Sequence, residues 1–238
     1  LLYVFILVFI MGIALHISTN VYNDIYDTLQ GTDRTNAHRN EFSGGSGVLV
    51  DNHELFPKMY LVARMSLIVA LIATIAIMFF IDESLFPLLW GLYLLSAFFA
   101  KYYTAAPVKL AYRGVGEISV WFAFGTMAIA VAAVSQNLGL HPAILAAMPA
   151  TGLSTLSILM IGQLIDKKAD EDNGKWGAAV RLGNKKAAII YIAVQVILIS
   201  NIILIPIVTN EISFLVYIAL IPFIFFFPNQ IGIVLKNY

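Results

Sequence analysis

The chain has 238 residues, of which 60% are hydrophobic and 12% are charged, and its formal net charge is zero. Because a soluble domain carries about 25% charged residues, this composition excludes an ordinary soluble domain. The chain has no cysteine, which excludes a disulfide framework and thiolate chemistry.

Long uncharged stretches follow one another along the chain and predict membrane-spanning helices. A spanning helix needs about 20 mainly apolar residues. The stretch 118–165 is long enough for two helices, with a turn signal at Ser135–Pro142 between them. The predicted spans are 1–23, 57–81, 84–103, 115–135, 142–166, 186–209 and 212–235. Because backbone in lipid must satisfy its own hydrogen bonds, the predicted fold class is all-α, a polytopic membrane helical bundle.

The distribution of charge predicts the orientation of these spans. Seven spans alternate sides, so segments 24–57, 102–115 and 166–186 lie on one side together with the C-terminus. All 14 lysines and arginines fall on that side or in the adjoining helix ends, whereas the opposite turns offer only Asp82, Glu83 and Glu211. The positive-inside rule therefore places the three segments in the cytoplasm. We predict an integral protein of the cell inner (plasma) membrane.

The first span is followed at once by a cluster of carboxylates. The eleven residues NDIYDTLQGTD begin at Asn23 and contain Asp24, Asp27 and Asp33. Asn23 and Asp27 are four residues apart, so on a helix they share one face. An unpaired carboxylate beside hydrocarbon is expensive. The cluster therefore predicts a compensating positive charge.

The segment KYYTAAPVKLAYRGVGE, residues 101–117, carries aromatic side chains at a helix end. Tyrosines at a membrane boundary usually belong to an interfacial belt, and we interpret Tyr102 in that way. A ring quadrupole also stabilises a neighbouring cation, so we assign Tyr103 and Tyr112 to function. His16, in the first span, is interpreted as a helix-packing histidine.

A second acidic cluster follows the fifth span in the stretch GQLIDKKADEDNGKWGAAVRLG. Asp166 and Asp170 are four residues apart and share a helix face. By the alternation of spans, both clusters emerge on the same side of the membrane and could face a common cavity. The alternative interpretation of each cluster is a solvated helix end followed by a polar loop. Two matched clusters on one side favour a site.

Carboxylates together with an asparagine carbonyl are hard oxygen ligands, which suit Mg²⁺. Magnesium is usually held by a few carboxylates and by phosphate oxygens of a substrate. Basic side chains that could bind the remaining phosphate charge are Arg39, Lys109, Lys175 and Arg181. The sequence therefore predicts a magnesium-bridged diphosphate between the two clusters.

These motifs together resemble the UbiA-type intramembrane prenyltransferases, and most closely their 1,4-dihydroxy-2-naphthoate polyprenyltransferase branch. That branch typically reads NDxxDxxxGxD in its first loop, as NDIYDTLQGTD does. It also has a central loop like YTAAPVKLAYRGVGE and a later stretch like DKKADEDNGK followed by VRLG. The family normally has nine helices. The resemblance thus implies that residues 1–238 form a single UbiA-type transmembrane domain lacking the first and last helices.

The resemblance also implies a reaction and its residues. Mg²⁺ would be held by Asp24, Asp27, Asp33, Asp166 and Asp170. Catalytic roles would fall to Asp27, Asp170 and Tyr103. Substrate would be bound by Asn23, Arg39, Lys109, Tyr112, Arg113 and Lys175. The reaction would be transfer of a polyprenyl group from polyprenyl diphosphate to an aromatic acceptor, 1,4-dihydroxy-2-naphthoate in menaquinone biosynthesis.

Other functions stay open at this point. The acceptor could instead be 4-hydroxybenzoate, homogentisate, a tetrapyrrole or a glycerol lipid. A transporter of cations or phosphorylated solutes is an alternative from a different class, and it predicts acids near the bilayer midplane on broken helices. A phosphotransferase for CDP-alcohols would need its acids in one compact run. We predict no nucleic-acid partner.

Overall fold

The computed structural model describes residues 2–37, 40, 43–209 and 213–237. Within these residues seven helices are long and apolar enough to cross a membrane, and none of the described residues lies in a strand. We label the helices α1 (Leu2–Gln30), α2 (Phe56–Met78), α3 (Phe86–Tyr102), α4 (Gly116–Val134), α5 (Pro142–Asp172), α6 (Ala178–Thr209) and α7 (Ile221–Asn237). The predicted all-α membrane bundle is confirmed.

Several helix ends differ from the predicted spans. Helix α1 continues to Gln30 and α5 to Asp172, so both acidic motifs are helical. Helix α6 begins at Ala178 but is interrupted at Gly183, whose φ of 76° and ψ of 160° are not helical. Helix α7 begins at Ile221, after a 3-10 segment at Phe214–Leu220, and therefore later than the predicted span. The uncharged stretches mark the hydrocarbon region, but a helix continues into the polar zone until its backbone is forced out of helical geometry. That happens at Gly31 and Gly174, whose φ angles of 98° and 70° are left-handed and favour glycine.

Helices α1 and α2 pack closely through small side chains. Ala14 on α1 and Ala70 and Ala73 on α2 are all buried. The Ser18 hydroxyl on α1 donates a 3.0 Å hydrogen bond to the carbonyl of Ala63 on α2. In lipid, small residues let helix backbones approach, and interhelical hydrogen bonds add to the packing. This contact fixes the position of α1, which carries the first acidic motif.

Helices α4 and α5 cross at a pair of glycines. A Cβ on Gly125 would lie 2.8 Å from the carbonyl oxygen of Met148, and one on Gly152 would collide with the carbonyl of Trp121. The same part of α4, Phe122–Met127, is a π-helical segment, a local widening that often occurs at functional sites. The crossing brings the backbones together and leaves a cavity beside them.

The helices contribute unequally to the interior. The main hydrophobic core is formed by the five helices from α1 through α5 and includes Met11, Ile77, Leu89, Met127 and Met148. A second cluster joins α5 and α6. Helix α7 packs against α6, and no residue of the spanning window Phe214–Val234 is buried. The interior next to the acidic motifs is therefore enclosed by α1, α3, α4 and α5.

Candidate active site

A cavity of about 470 Å³ opens between α1, α3, α4 and α5. Its walls inside the bundle are mainly apolar and include Leu15, Phe99, Phe124 and Met127. At the end where α1 and α5 finish, the walls become polar with Asn23, Asp166, Asp170, Lys175 and the backbone of Gly44. An apolar chamber with a charged mouth is suited to an amphiphile whose headgroup is ionic.

Lys175 lies between the two acidic motifs. Its Nζ is 2.7 Å from Asp27 Oδ2 on α1 and 3.8 Å from Asp170 Oδ1 on α5. The side chains of Asp27 and Asp170 are only 1% and 3% exposed. Burial alone would lower the pKa of Lys175, but the charges of Asp27 and Asp170 overcome this and raise the pKa well above its usual value. The lysine is therefore a permanent ammonium in this site.

Asp27 accepts three hydrogen bonds from described residues. Besides Lys175, it accepts a 2.6 Å hydrogen bond from the Tyr112 hydroxyl and a 2.8 Å bond from Asn23 Nδ2. The Tyr112 hydroxyl is also 2.8 Å from the Thr32 hydroxyl. Burial, followed by the charge of Asp27, raises the pKa of Tyr112, so the phenol stays neutral and donates. This network joins α1 to the segment before α4.

Among the described residues, buried carboxylates outnumber the ammonium groups beside them. Asp33 is 6% exposed, and from the described residues its side chain accepts a long 3.3 Å bond from the Thr28 hydroxyl. Burial and then the nearby Asp27 raise the pKa of Asp33 to about 7, although Lys175 acts in the opposite direction. Asp170 Oδ1 is buried and accepts no hydrogen bond from the described residues. One ammonium does not balance these carboxylates, so the site has room for a further cation.

The other two acids hold the glycine-rich loop after α1. Asp166 accepts hydrogen bonds from Asn36 Nδ2 at 2.7 Å and from the backbone N–H of Gly44 at 2.6 Å. Asp24 accepts bonds from the N–H and hydroxyl of Ser46, at 3.0 and 2.6 Å. A Cβ at Gly45 would overlap the Asp33 carboxylate. Ser43 and Gly44 of this loop therefore line the mouth of the cavity, a role that the sequence did not predict for them.

A brace around Glu117 positions the segment that carries Lys175. Glu117 on α4 accepts hydrogen bonds from Gln163 Nε2 on α5 and from the first N–H of α6, at Ala178. Its other oxygen lies 3.1 Å from Nη2 of Arg181. The carboxylate thus caps α6 and ties three helices together. Arg181, predicted to bind phosphate, is paired with Glu117 instead.

The remaining predicted residues differ in position. Tyr103 lies in the cavity wall, and burial raises the pKa of its hydroxyl. Lys109 Nζ lies 5.6 Å from the centre of the Tyr112 ring, and the hydroxyl of Tyr112 donates to Asp27. Arg113 is exposed and donates to the carbonyl of Pro107 at 2.8 Å, so the structure does not bring it into the cavity. Arg39 lies outside the described residues.

Two polar residues of α1 were not predicted as site residues. His16 and Asn20 both line the cavity, and the His16 ring lies 5.8 Å from that of Phe124 in an edge-to-face arrangement. The structure thus exposes to the cavity a histidine that we had assigned to helix packing. The sequence spacing could have predicted this position. His16 lies seven residues before Asn23 and Asn20 lies seven residues before Asp27, so all four share one helix face.

The donor atoms at the mouth fit a divalent cation by chemistry and by charge. They are carboxylate oxygens, which Mg²⁺ prefers, and one of them, Asp170 Oδ1, is buried without a hydrogen bond from the described residues. Within the described part of the chain, however, no three acidic or histidine side chains converge closely enough to hold a metal alone. A cation here would have to take further oxygens from a substrate or water.

The fold and the site define an integral membrane protein with a lipid-embedded cavity and an acidic mouth built from two helices. The chain belongs to the UbiA prenyltransferase family, whose sequence model matches residues 2–238. This confirms the family that the motifs predicted. No solved structure matches the chain.

Three curated proteins are similar to this chain over part of their length. The chain is 29% identical over 194 residues to 1,4-dihydroxy-2-naphthoate octaprenyltransferase of Mycobacterium leprae and 28% identical over 173 residues to the Escherichia coli protein of the same name. It is 27% identical over 182 residues to 2-carboxy-1,4-naphthoquinone phytyltransferase of Synechocystis. The matches cover 80%, 73% and 76% of this chain but 62%, 55% and 55% of those proteins. The chain thus spans little more than half of each relative.

Proposed function

We propose that the chain is a single prenyltransferase domain that moves a polyprenyl group from polyprenyl diphosphate to 1,4-dihydroxy-2-naphthoate. The observation that carries this proposal is the meeting of Asp27 on α1 with Asp170 on α5 around Lys175. That charged group lies at the mouth of an apolar cavity of about 470 Å³. A diphosphate would bind at the charged end, and its hydrocarbon tail would occupy the apolar walls.

The acidic residues would hold Mg²⁺ together with the substrate diphosphate. The residues that we assign to this role are Asp24, Asp27, Asp33, Asp166 and Asp170. When bound, the cation would act as a Lewis acid that stabilises the leaving diphosphate. The buried carboxylates Asp27, Asp33, Asp166 and Asp170, with Lys175 between two of them, support binding of a cation at this mouth.

The chain's own groups would assist departure of the diphosphate. Lys175 stays protonated, and a fixed ammonium stabilises negative charge that develops on the leaving group. Tyr112 donates to Asp27 at 2.6 Å and holds that carboxylate in one orientation. Asn23 lies in the cavity wall next to it and offers an amide to the phosphate oxygens.

The apolar walls would protect the allylic cation left on the prenyl group. Tyr103, Phe99 and Phe124 line the cavity, and the raised pKa of Tyr103 keeps its ring neutral. Neutral aromatic rings attract cations through their quadrupole, and an enclosed cavity excludes water that would capture the cation. The electron-rich ring of the acceptor would then attack the allylic carbon.

The acceptor is proposed from the relatives. The similar proteins of M. leprae and E. coli are named for 1,4-dihydroxy-2-naphthoate, so the same acceptor is our first choice over the other aromatic or lipid acceptors. The transporter alternative is disfavoured because the acids stand at the ends of α1 and α5 instead of on broken midplane helices. The CDP-alcohol alternative is disfavoured because the acids come from two helices far apart in the chain.

The test is a turnover assay in lipid nanodiscs. Purified chain with Mg²⁺, labelled polyprenyl diphosphate and 1,4-dihydroxy-2-naphthoate should form a prenylated product that mass spectrometry identifies. Chelation of divalent cations should remove turnover, and added Mg²⁺ should restore it. If the folded chain gave no product with any acceptor of a panel, the proposal would be wrong. Flux of a phosphorylated solute through liposomes without conversion would support the transporter instead.

We also propose that the acidic mouth faces the cytoplasm at the cell inner (plasma) membrane, in line with the bias of lysine and arginine. The absence of cysteine allows a direct test with single-cysteine variants. Glu83→Cys, before α3, should react with a membrane-impermeant maleimide in intact cells. Glu54→Cys, at the acidic end, should react only after permeabilisation. The reverse pattern would invert the proposed topology. Both side chains are exposed.

A further inference from the structure

The ammonium that lies between the two acidic motifs is carried by a short loop and not by a helix. Lys175 belongs to the loop 173–177, between the end of α5 at Asp172 and the start of α6 at Ala178. A lysine side chain has many rotamers, and holding it in one of them costs conformational entropy. Trp176, the next residue, is half exposed and gives the loop little packing. Other groups must therefore hold the loop in place.

The first residue of the loop is held against the end of α1. Asn173 Nδ2 donates hydrogen bonds to the Thr35 hydroxyl at 2.6 Å and to the carbonyl of Ala169 at 2.8 Å. The Asn173 side chain also packs against Gly31, where a Cβ would lie 2.5 Å from Asn173 Oδ1. Gly31 follows α1 directly. This contact therefore joins the loop to the helix that carries Asp27.

The residue that follows the loop is held against α4 and α5. The N–H of Ala178 donates to a Glu117 carboxylate oxygen at 2.5 Å and to Gln163 Oε1 at 3.0 Å. A Cβ on Gly177 would lie 2.8 Å from the Gln163 amide group, so this end of the loop fits closely. The Glu117 side chain is 13% exposed, and a hydrogen bond to a shielded carboxylate is strong. Both ends of the loop are thus fixed.

The two fixed ends act on the ammonium only through the backbone of the loop. The described residues that line the cavity include Lys175 but neither Asn173 nor Glu117. Between the two ends, the Lys175 N–H donates to the carbonyl of Asp170 at 2.8 Å, and the Lys175 carbonyl accepts from the N–H of Gly177 at 3.1 Å. A shift at either end would therefore move the Lys175 backbone and change where its Nζ lies.

We propose that Glu117 and Asn173 are positioning residues that hold the Lys175 ammonium between Asp27 and Asp170. This inference rests on the proposed function, in which that ammonium stabilises charge on the leaving diphosphate. Such a group is effective when it is already oriented at the moment of reaction, and a displacement of about 1 Å can lower a rate by about 10²-fold. Glu117 and Asn173 touch neither substrate and act through Lys175.

The experiment is a double-mutant cycle on the full chain in nanodiscs with Mg²⁺. Glu117→Gln and Asn173→Ala are each made alone and together with Lys175→Met. The single-turnover rate and the Kd for labelled polyprenyl diphosphate without acceptor are measured. Each variant alone should lower the rate and weaken binding about five- to tenfold, the effect of one hydrogen bond. In the Lys175→Met background both values should change by less than about twofold, because no ammonium is left to position.

Glu171→Gln is the matched control for the loss of a carboxylate. Glu171 lies in the last turn of α5 and is exposed, so its replacement should leave both values at the wild-type level. Hydrogen exchange of the unliganded chain should be faster in segment 173–182 of Glu117→Gln and unchanged in the other helices. Equal losses with and without Lys175 would show a merely structural role and overturn the inference. Unchanged values in both single variants would overturn it as well.

The binding measurement separates this inference from the proposed function. If the wild type bound polyprenyl diphosphate but made no product, and each variant weakened binding only when Lys175 was present, the proposed reaction would fail and the positioning role would stand. If the wild type made product but the losses were the same in both backgrounds, the positioning role alone would fail. Absence of polyprenyl diphosphate binding by the wild type would refute both.

Discussion

Exchange of Asp27 or Asp170 for asparagine is expected to lower kcat/KM for prenyl transfer by about 10²- to 10³-fold. Each change keeps the shape of the side chain but removes a buried negative charge that faces Lys175. Loss of the charge would weaken the hold on the proposed divalent cation and therefore on the proposed diphosphate. The measurement is single-turnover prenyl transfer in nanodiscs, with circular dichroism to show that the helices are retained.

Asp172→Asn provides the matched control for both variants. Asp172 lies on α5 two residues after Asp170, but it is exposed and pairs with Lys168 on the same helix face. It does not reach the cavity, so its replacement should leave turnover near the wild-type rate. Near-normal rates in the Asp27 or Asp170 variant would show that the metal site has been misplaced. A low rate in Asp172→Asn would show that charge near this helix end acts nonspecifically.

Replacement of Lys175 by methionine is expected to lower kcat by about 10²-fold or more. The variant keeps the length of the side chain but removes the only ammonium that the structure places between Asp27 and Asp170, within its described residues. The leaving diphosphate would lose a fixed positive charge. The buried carboxylates would also lose their partner. Removal of one partner of a buried ion pair lowers the free energy of unfolding by at most about 3–5 kcal/mol. Rates and thermal unfolding in nanodiscs measure the two effects.

Lys175→Arg and Lys168→Met separate these effects. Arginine keeps the charge and should recover most of the thermal stability, but its planar fork does not reproduce the geometry of an ammonium, so turnover should recover only in part. Lys168 is 75% exposed in its pair with Asp172, and its loss should change neither property. If Lys175→Met turned over at the wild-type rate, the lysine would have only a structural role.

The sequence alone was sufficient for the architecture because the hydrocarbon region imposes simple local rules. Long uncharged stretches predicted seven helices that the structure contains, since only a helix of about 20 residues satisfies its backbone across lipid. Alternation of the spans brought the two acidic motifs to one end of the bundle. The structure confirms this meeting, because Asp27 and Asp170 both approach Lys175. The proposed diphosphate chemistry rests on residue type and spacing.

The tertiary structure alone decided which side chains meet. The contact between Asp27 and Lys175 joins residues 148 positions apart, and no local pattern specifies such a pairing. The same holds for Asp166, which binds the N–H of Gly44 across the cavity mouth, and for Arg113, which turns away to Pro107. His16 differs from a packing residue only because it faces the cavity between α1, α3, α4 and α5. The reason is physical: helix formation in lipid depends on local hydrophobicity, whereas a site depends on how the helices pack.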